Sequence, residues 1–287
     1  MEVFYMLRFP FLCGMSLPQH TDHALRYRQQ EENSEAYVIP FIQERFTLIS
    51  GMKIMEIGCG EGGVLAPFLK KGYQCVGVEL VPARIALAEQ FLAEYLASGQ
   101  LRLINKNIYE LDFLGEFRGT FDLIILKDTI EHIPDQAKLM GYLKELLTPE
   151  GVIYLGFPPW YMPLGGHQQI CMNRVLSVFP YLHLLPRPLY KGLLKICGEH
   201  PSTVQELLEI KDTGLSIERF HRILKKHHYN VLNKRFYLIN PIYRYKFGWK
   251  PRTQSVIVSD IPFFRNFVTT CVYYLVKPEA PVTAALD

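Results

Sequence analysis

The stretch Lys53–Gly63, KIMEIGCGEGG, decides how the rest of the chain is read. An apolar run with strand character ends in glycines, and Glu56 stands two residues ahead of the first of them, Gly58. A strand that breaks into Gly-x-Gly and continues as a helix lets the backbone approach a ligand and offers it free N–H groups. In an open α/β sheet such ligands bind at the carboxyl ends of the strands, beside the point where strand order reverses.

Working outward, helix and strand alternate. Residues 22–50 read as a helix stopped by Ser50–Gly51. Gly62 to Lys71 and Pro82 to Ala97 read as helices, the second with proline in its first turn, and Pro134 to Leu147 is amphipathic. QCVGVEL, LRLINKN, FDLIILKD and GVIYLGF supply four further strands. Strands dominated by Ile, Leu and Val and separated by helices predict a parallel sheet covered on both faces, with right-handed crossovers. The expected fold is therefore α/β, a Rossmann-like, doubly wound, mostly parallel sheet of seven strands. YNVLNKRFYLI and FVTTCVYYLV complete it, the last antiparallel and at or near an edge. Four regions follow: an N-terminal extension and helix (1–50), a ligand-binding core (51–157), a helical insertion that caps the ligand end (158–215), and a C-terminal helix with strands (216–287).

With 287 residues, 49% hydrophobic and 21% charged, the chain has the composition of an ordinary globular α/β protein. No window supplies the roughly 18 unbroken apolar residues of a membrane span. Residues 1–15, MEVFYMLRFPFLCGM, interrupt their apolar run with Glu2, Arg8 and Pro10. They read as a poorly ordered extension rather than a signal peptide, with Met15 available as a second start. The cysteines (Cys13, Cys59, Cys75, Cys171, Cys197, Cys271) form no CxxC pair and meet no histidines at zinc spacing. That pattern suits a reduced, cytoplasmic protein without a structural metal. The net charge of +3 hides an asymmetry, because residues 219–252 carry ten Lys/Arg and no Asp/Glu. Cations interleaved with Phe, Tyr and Trp leave three readings open: a solvated face, a contact with anionic membrane or a phosphate-bearing substrate, or a nucleic-acid surface, the last less favoured as partner.

Glu79 ends the second strand nineteen residues after Gly60, where a carboxylate accepts both hydroxyls of a ribose. These features leave a dinucleotide oxidoreductase and an S-adenosylmethionine enzyme as candidates. Three details separate them. Gly58-x-Gly60-x-Gly62-Gly63 only approximates GxGxxG. Glu56 suits a ligand ammonium and would repel a pyrophosphate. FDLIIL is followed by KDTIEHI and then by LLTPEGVIYLGFP.

EIGCGEGG, GVEL, NIYEL, FDLIILKDTIEHI and LLTPEGVIYLG resemble, in order and spacing, the successive motifs of class I S-adenosylmethionine-dependent methyltransferases, over roughly residues 35–157. The resemblance implies that Gly58, Cys59 and Gly60 wall the methionine portion of S-adenosyl-L-methionine. Glu56 supports that loop or meets the ligand directly. It further implies that Glu79 binds the ribose, that Leu80 packs on adenine, and that Asn107, where the family often has Asp, holds the adenine amino group, with the Ile108 N–H beside it. Lys127 and Asp128 then end the fourth strand at the methionine end. Cys59 reads as a small loop residue rather than a reactive thiol.

Methyl transfer from a sulfonium asks mainly for alignment and a dry pocket. A general base is needed only when the acceptor must lose a proton. His132, in EHIP, and His167, in PLGGHQQ, are the catalytic candidates, each with a packing role as its alternative; Trp160 and Tyr161 read as pocket wall. The Asn/Asp-Pro-Pro-aromatic signature of amino methyltransferases is missing after the fourth strand, where LKDT stands. The expectation is methyl transfer to a small or lipid-like acceptor, at oxygen. The alternatives are an RNA methyltransferase using residues 219–252 and a non-catalytic S-adenosylmethionine-binding protein.

Overall fold

The computed structural model describes residues 22–279. The expectations for residues 1–15, including a start at Met15, lie outside the described residues. A mixed sheet of eight strands runs in the order β3-β2-β1-β4-β5-β8-β6-β7. β1 (Lys53–Ile57), β2 (Gln74–Val78), β3 (Leu101–Ile104), β4 (Phe121–Lys127) and β5 (Leu147–Phe157) are parallel. They are extended by β6 (Tyr229–Ile239), β7 (Arg252–Thr253) and β8 (Cys271–Pro278), and β8 is antiparallel to both β5 and β6.

The expected doubly wound sheet is present with one strand more, because the two-residue β7 pairs with β6 at the margin. The last strand is antiparallel, as expected, but it lies inside the sheet. Its composition explains the position: Cys271 through Val276 are all buried, and a run that is apolar on both faces needs cover on both.

Side chains alternate across the sheet with the strand period of two. On β4, Ile124 and Leu126 join a core with Met55, Phe113, Leu139 and Phe220, while Leu123 and Ile125 join Phe41, Ile54, Phe68 and Tyr154 on the other face. Asp122 ties strand starts together, accepting from the Lys53 N–H at 2.9 Å and from the Thr148 hydroxyl at 3.1 Å.

The first helical segment, His23–Asn33, is capped by Asp22 and continues through a π-helical turn, Ser34–Val38, into Ile39–Gln43. It thus ends short of Ser50. Pro82–Phe91 and Ala93–Ala97 are separate helices, because Leu92 leaves helical geometry (φ −117°, ψ 24°) with its side chain fully buried. Of residues 62–71 only Ala66–Lys70 is regular helix, since Gly62 belongs to the turn that follows β1.

Residues 158–215 hold three helices, Arg174–Val178, Arg187–Ile196 and Pro201–Thr213, around a small core of Leu176, Tyr190, Leu194, Val204 and Leu207. The two ends of the insertion are tied to each other and to the turn that follows β4. The Trp160 N–H donates to the Leu215 carbonyl at 2.9 Å, and the Thr213 hydroxyl donates to the Glu131 carbonyl at 2.6 Å. No helix among the described residues is long and apolar enough to cross a membrane.

Candidate functional site

Strand order reverses between β1 and β4, and a cavity of about 1280 Å³ opens at their carboxyl ends. Its lining includes every site residue expected from the sequence: Glu56, Gly58, Cys59, Gly60, Glu79, Leu80, Asn107, Ile108, Lys127, His132 and His167.

The glycine loop is fixed by its backbone. The Gly58 and Cys59 N–H groups donate to the Val78 carbonyl at 2.7 and 3.1 Å, and the Gly60 N–H donates to Glu79 Oε2 at 3.0 Å. Glu79 Oε1 accepts from the Val81 N–H at 2.9 Å, so this carboxylate clasps the loop to the end of β2. Each of its oxygens keeps a lone pair for a ligand hydroxyl. Gly58 has φ +72°, and a Cβ there would stand 2.6 Å from Thr129 Oγ1. At Gly63 a Cβ would stand 2.5 Å from the Tyr27 carbonyl, so the bare backbone lets the first helix close over the loop. That helix brings Arg26, Tyr27 and Gln30 to the cavity, and Arg26 and His23 reach Glu61 at 3.4 and 3.0 Å. Burial pushes the Cys59 thiol well above its ordinary range, in keeping with a packing role.

None of these loop donors goes to Glu56. Its side chain is buried, its Oε2 has no partner, and burial pushes its carboxyl well above the usual carboxylate range against the pull of Lys127. It is an acid held toward its neutral form, facing a cavity. Lys127 and Asp128 form an ion pair. Burial opposes both charges, but their attraction prevails, leaving Lys127 above and Asp128 below the ordinary values. Asp128 is in left-handed geometry at φ +52°, the kind of strain that collects at functional sites.

On the adenine side Leu80 is 63% exposed, a bare apolar surface on the cavity wall, and Ile108 is buried. Asn107 Oδ1 accepts from the Tyr109 N–H and the Asn107 N–H donates to Glu110, both at 3.0 Å, which shapes the turn after β3.

At the other end the His132 and His167 rings meet edge to face, centroids 4.7 Å apart. Burial pulls both imidazoles down, His167 to about 3 with His132 adding to the effect, so both are neutral at physiological pH. Neutral imidazoles of such low basicity accept hydrogen bonds but are weak proton acceptors. Glu131, which sequence reasoning missed, is buried with neither carboxyl oxygen hydrogen-bonded, His132 Nε2 standing 3.9 Å from Oε1, and burial with nearby Asp128 pushes it well above the usual range. Glu131, His132 and His167 each present a ligand atom within 4.8 Å of the others, a grouping that a metal ion could bridge. Spacing along the chain, which suggested no metal, gives no sign of it, because His167 arrives on a separate loop after β5. Trp160 and Tyr161 are not on the cavity wall. Trp160 braces the His183 ring at 4.6 Å and Tyr161 packs on Phe267 at 5.5 Å, while Met162, Pro163 and Leu164 line the cavity instead.

The cations of residues 219–252 do not share a face. Arg235 pairs with Glu44, and Arg219 donates to the Thr213 and Gly214 carbonyls. Arg244 donates to the Tyr37 hydroxyl, while Lys225 and Lys234 line a separate groove. Lys246, Lys250 and Arg252 line the main cavity.

A parallel sheet with a glycine loop at its switch point, an acid closing β2, and an antiparallel strand slipped in beside β5 defines a class I S-adenosylmethionine-dependent methyltransferase, and the chain is a member of that family. Residues 27–167 match the methyltransferase domain, and S-adenosyl-L-methionine is its cofactor. Its sequence is similar to the ubiquinone biosynthesis O-methyltransferase of Leptothrix cholodnii, 24% identical over 199 residues that span 69% of this chain and 77% of the relative. The protein of the same name from Haemophilus ducreyi is 24% identical over 204 residues, 70% of this chain and 79% of the relative. Among solved structures, geranyl diphosphate C-methyltransferase from Streptomyces coelicolor A3(2) superposes with a TM-score of 0.55 at 12% identity, over 85% of this chain and 79% of that one. That likeness speaks for the fold alone.

Proposed function

We propose that the chain transfers a methyl group from S-adenosylmethionine to an oxygen of a small, largely apolar acceptor of quinol or lipid-like kind, seated beneath residues 158–215. The observation that carries this is a single cavity of about 1280 Å³ joining the glycine loop to Met162, Pro163, Leu164 and Ile170 of the insertion. That exceeds the roughly 300–1,000 Å³ of a pocket for one small ligand and leaves room for two. The names of the relatives support oxygen as the accepting atom.

In this scheme Glu79 takes the ribose hydroxyls and Leu80 lies on adenine, with Asn107 and Ile108 at its edge. The Gly58–Gly60 backbone walls the methionine portion, and Glu56 meets its ammonium group. Lys127 keeps Asp128 ionised beside that end. The cofactor supplies an electrophilic methyl on a positive sulfur. His132 and His167 hydrogen-bond the acceptor and help exclude water, so that it meets the methyl in line. The scattered cations of residues 219–252 weigh against an RNA substrate, which needs a continuous basic track.

The test is incubation with methyl-labelled cofactor and two substrate sets, long-chain phenols and quinols on one side and total RNA on the other. Labelled methyl ethers are expected. Label in RNA would replace this proposal with the nucleic-acid one, and no label in either would favour a non-catalytic binding protein.

A further inference from the structure

Among the cations that line the cavity, Lys246 is one that makes no ion pair among the described residues. Lys246 stands on the short helix Tyr243–Phe247 between β6 and β7 and lines the cavity. The helix is braced from behind, with the Tyr245 hydroxyl donating to the Glu32 carbonyl at 3.1 Å and Gln29 Nε2 donating to the Tyr245 carbonyl at 3.1 Å. Its backbone N–H donates to the Ile242 carbonyl at 3.1 Å, but the Lys246 ammonium forms no hydrogen bond or ion pair among the described residues. The charged groups facing it are Asp128, Lys127 and Arg26, with His167 also within electrostatic reach.

None of them neutralises it. Asp128 is taken by Lys127 and Arg26 lies on Glu61. Glu56, on the same cavity wall, is held toward its neutral form by burial. Burial, opposed by Asp128 and aided by Lys127 and Arg26, pulls the Lys246 ammonium down to about 8, which leaves it mostly protonated at neutral pH. A lone charge in a partly dry cavity is costly until an opposite charge joins it.

We infer that Lys246 binds the oxyanion of the methyl acceptor, so that the acceptor is an acid, a phenol or a carboxylic acid, taken up as its anion. This rests on the methyltransferase function proposed above and narrows its substrate class. An opposite charge within about 4–6 Å lowers an acidic group's pKa by roughly 1–3 units, which favours the acceptor's anion beside Lys246. The oxyanion lone pair forms the O–CH3 bond as the S–CH3 bond breaks, and the bonding pair stays on sulfur. Oxyanion and sulfonium become neutral together, no proton moves in that step, and Lys246 loses its partner in the product, which favours release.

The test uses the full chain saturated with S-adenosylhomocysteine, with binding rather than turnover as the readout. It is titrated with 4-nitrophenol, below that phenol's own pKa, and separately with dodecanoate. The expected result is a nitrophenolate absorbance on binding, or calorimetric binding of dodecanoate. Either should weaken by about tenfold or more in Lys246→Met and be largely retained in Lys246→Arg. Uptake of the phenol in its neutral form without dodecanoate binding overturns the inference. So does equal binding of the anion by Lys246→Met, or no binding of either probe to protein that holds S-adenosylhomocysteine. Failure to hold S-adenosylhomocysteine itself would fall on the methyltransferase proposal and take this inference with it.

Discussion

At the glycine-loop end of the cavity, Gly58 and Cys59 donate to Val78, Gly60 donates to Glu79, and Glu79 is anchored again at Val81. At the other end, by contrast, neither Glu131 oxygen is hydrogen-bonded and the Lys246 ammonium lines the cavity without an ion pair of its own among the described residues. The first end recognises its ligand with backbone that is already in place. The second is a set of polar side chains whose hydrogen-bonding capacity the described residues leave partly unused. A common cofactor and an individual acceptor call for that division: fixed backbone serves every member of a fold, and side chains on loops set what one member accepts.

The sharpest way to break the contrast is Gly58→Ala. The added Cβ meets Thr129 in a residue held at φ +72°, so the loop must move. Cofactor affinity should fall about 100-fold or more by calorimetry, equivalent to roughly 2.8 kcal/mol. Affinity near that of the wild type would mean that the loop is not pre-set.

Glu79→Ala comes next. It leaves the Gly60 and Val81 N–H groups without their acceptor, with an expected stability loss of about 1–3 kcal/mol in denaturant titration. A roughly 10- to 100-fold loss of cofactor affinity should accompany it. Lost stability with unchanged affinity would make Glu79 a clasp only.

At the acceptor end, His167→Asn suits the left-handed backbone at φ +57°. It should leave cofactor binding unchanged while slowing methyl transfer roughly five- to tenfold, the size of one lost hydrogen bond. Unaltered turnover would remove His167 from the acceptor site.

The smallest effect concerns protons. Glu56 is held toward its neutral form by burial, and a ligand ammonium favours its ionised form. Cofactor binding should therefore release a proton, and affinity should rise with pH through the elevated pKa of the empty site. Calorimetry in buffers of different ionisation heat reads this directly. Glu56→Gln should abolish the dependence, and proton uptake on binding would contradict the assignment.

Sequence reasoning reached the two ends unequally for a physical reason. The proposed cofactor wall is built from strand ends and the turns after them, so its residues fall in short ordered motifs: Glu56 to Gly60, Glu79 to Leu80, Asn107 to Ile108. The proposed acceptor end gathers Glu131, His132, His167 and Lys246 from separate loops and a short helix, and nothing in their spacing announces the meeting. Trp160 has an aromatic's appetite for burial, but it spends it bracing His183 rather than lining the cavity. The basic segment read as one feature because its residues are consecutive, yet the strand and short helices within it turn its charges in different directions. The last strand followed from its apolar sequence. Its position inside the sheet depended on β6 and β7 pairing beyond it, which no local pattern records.

The most direct measurement is parallel calorimetric titration of the full chain with S-adenosylmethionine, S-adenosylhomocysteine and NAD. Binding of both adenosyl ligands and no binding of NAD is the predicted result. Binding of NAD alone would contradict the assignment of the glycine loop, Glu56 and Glu79 to a methyl donor.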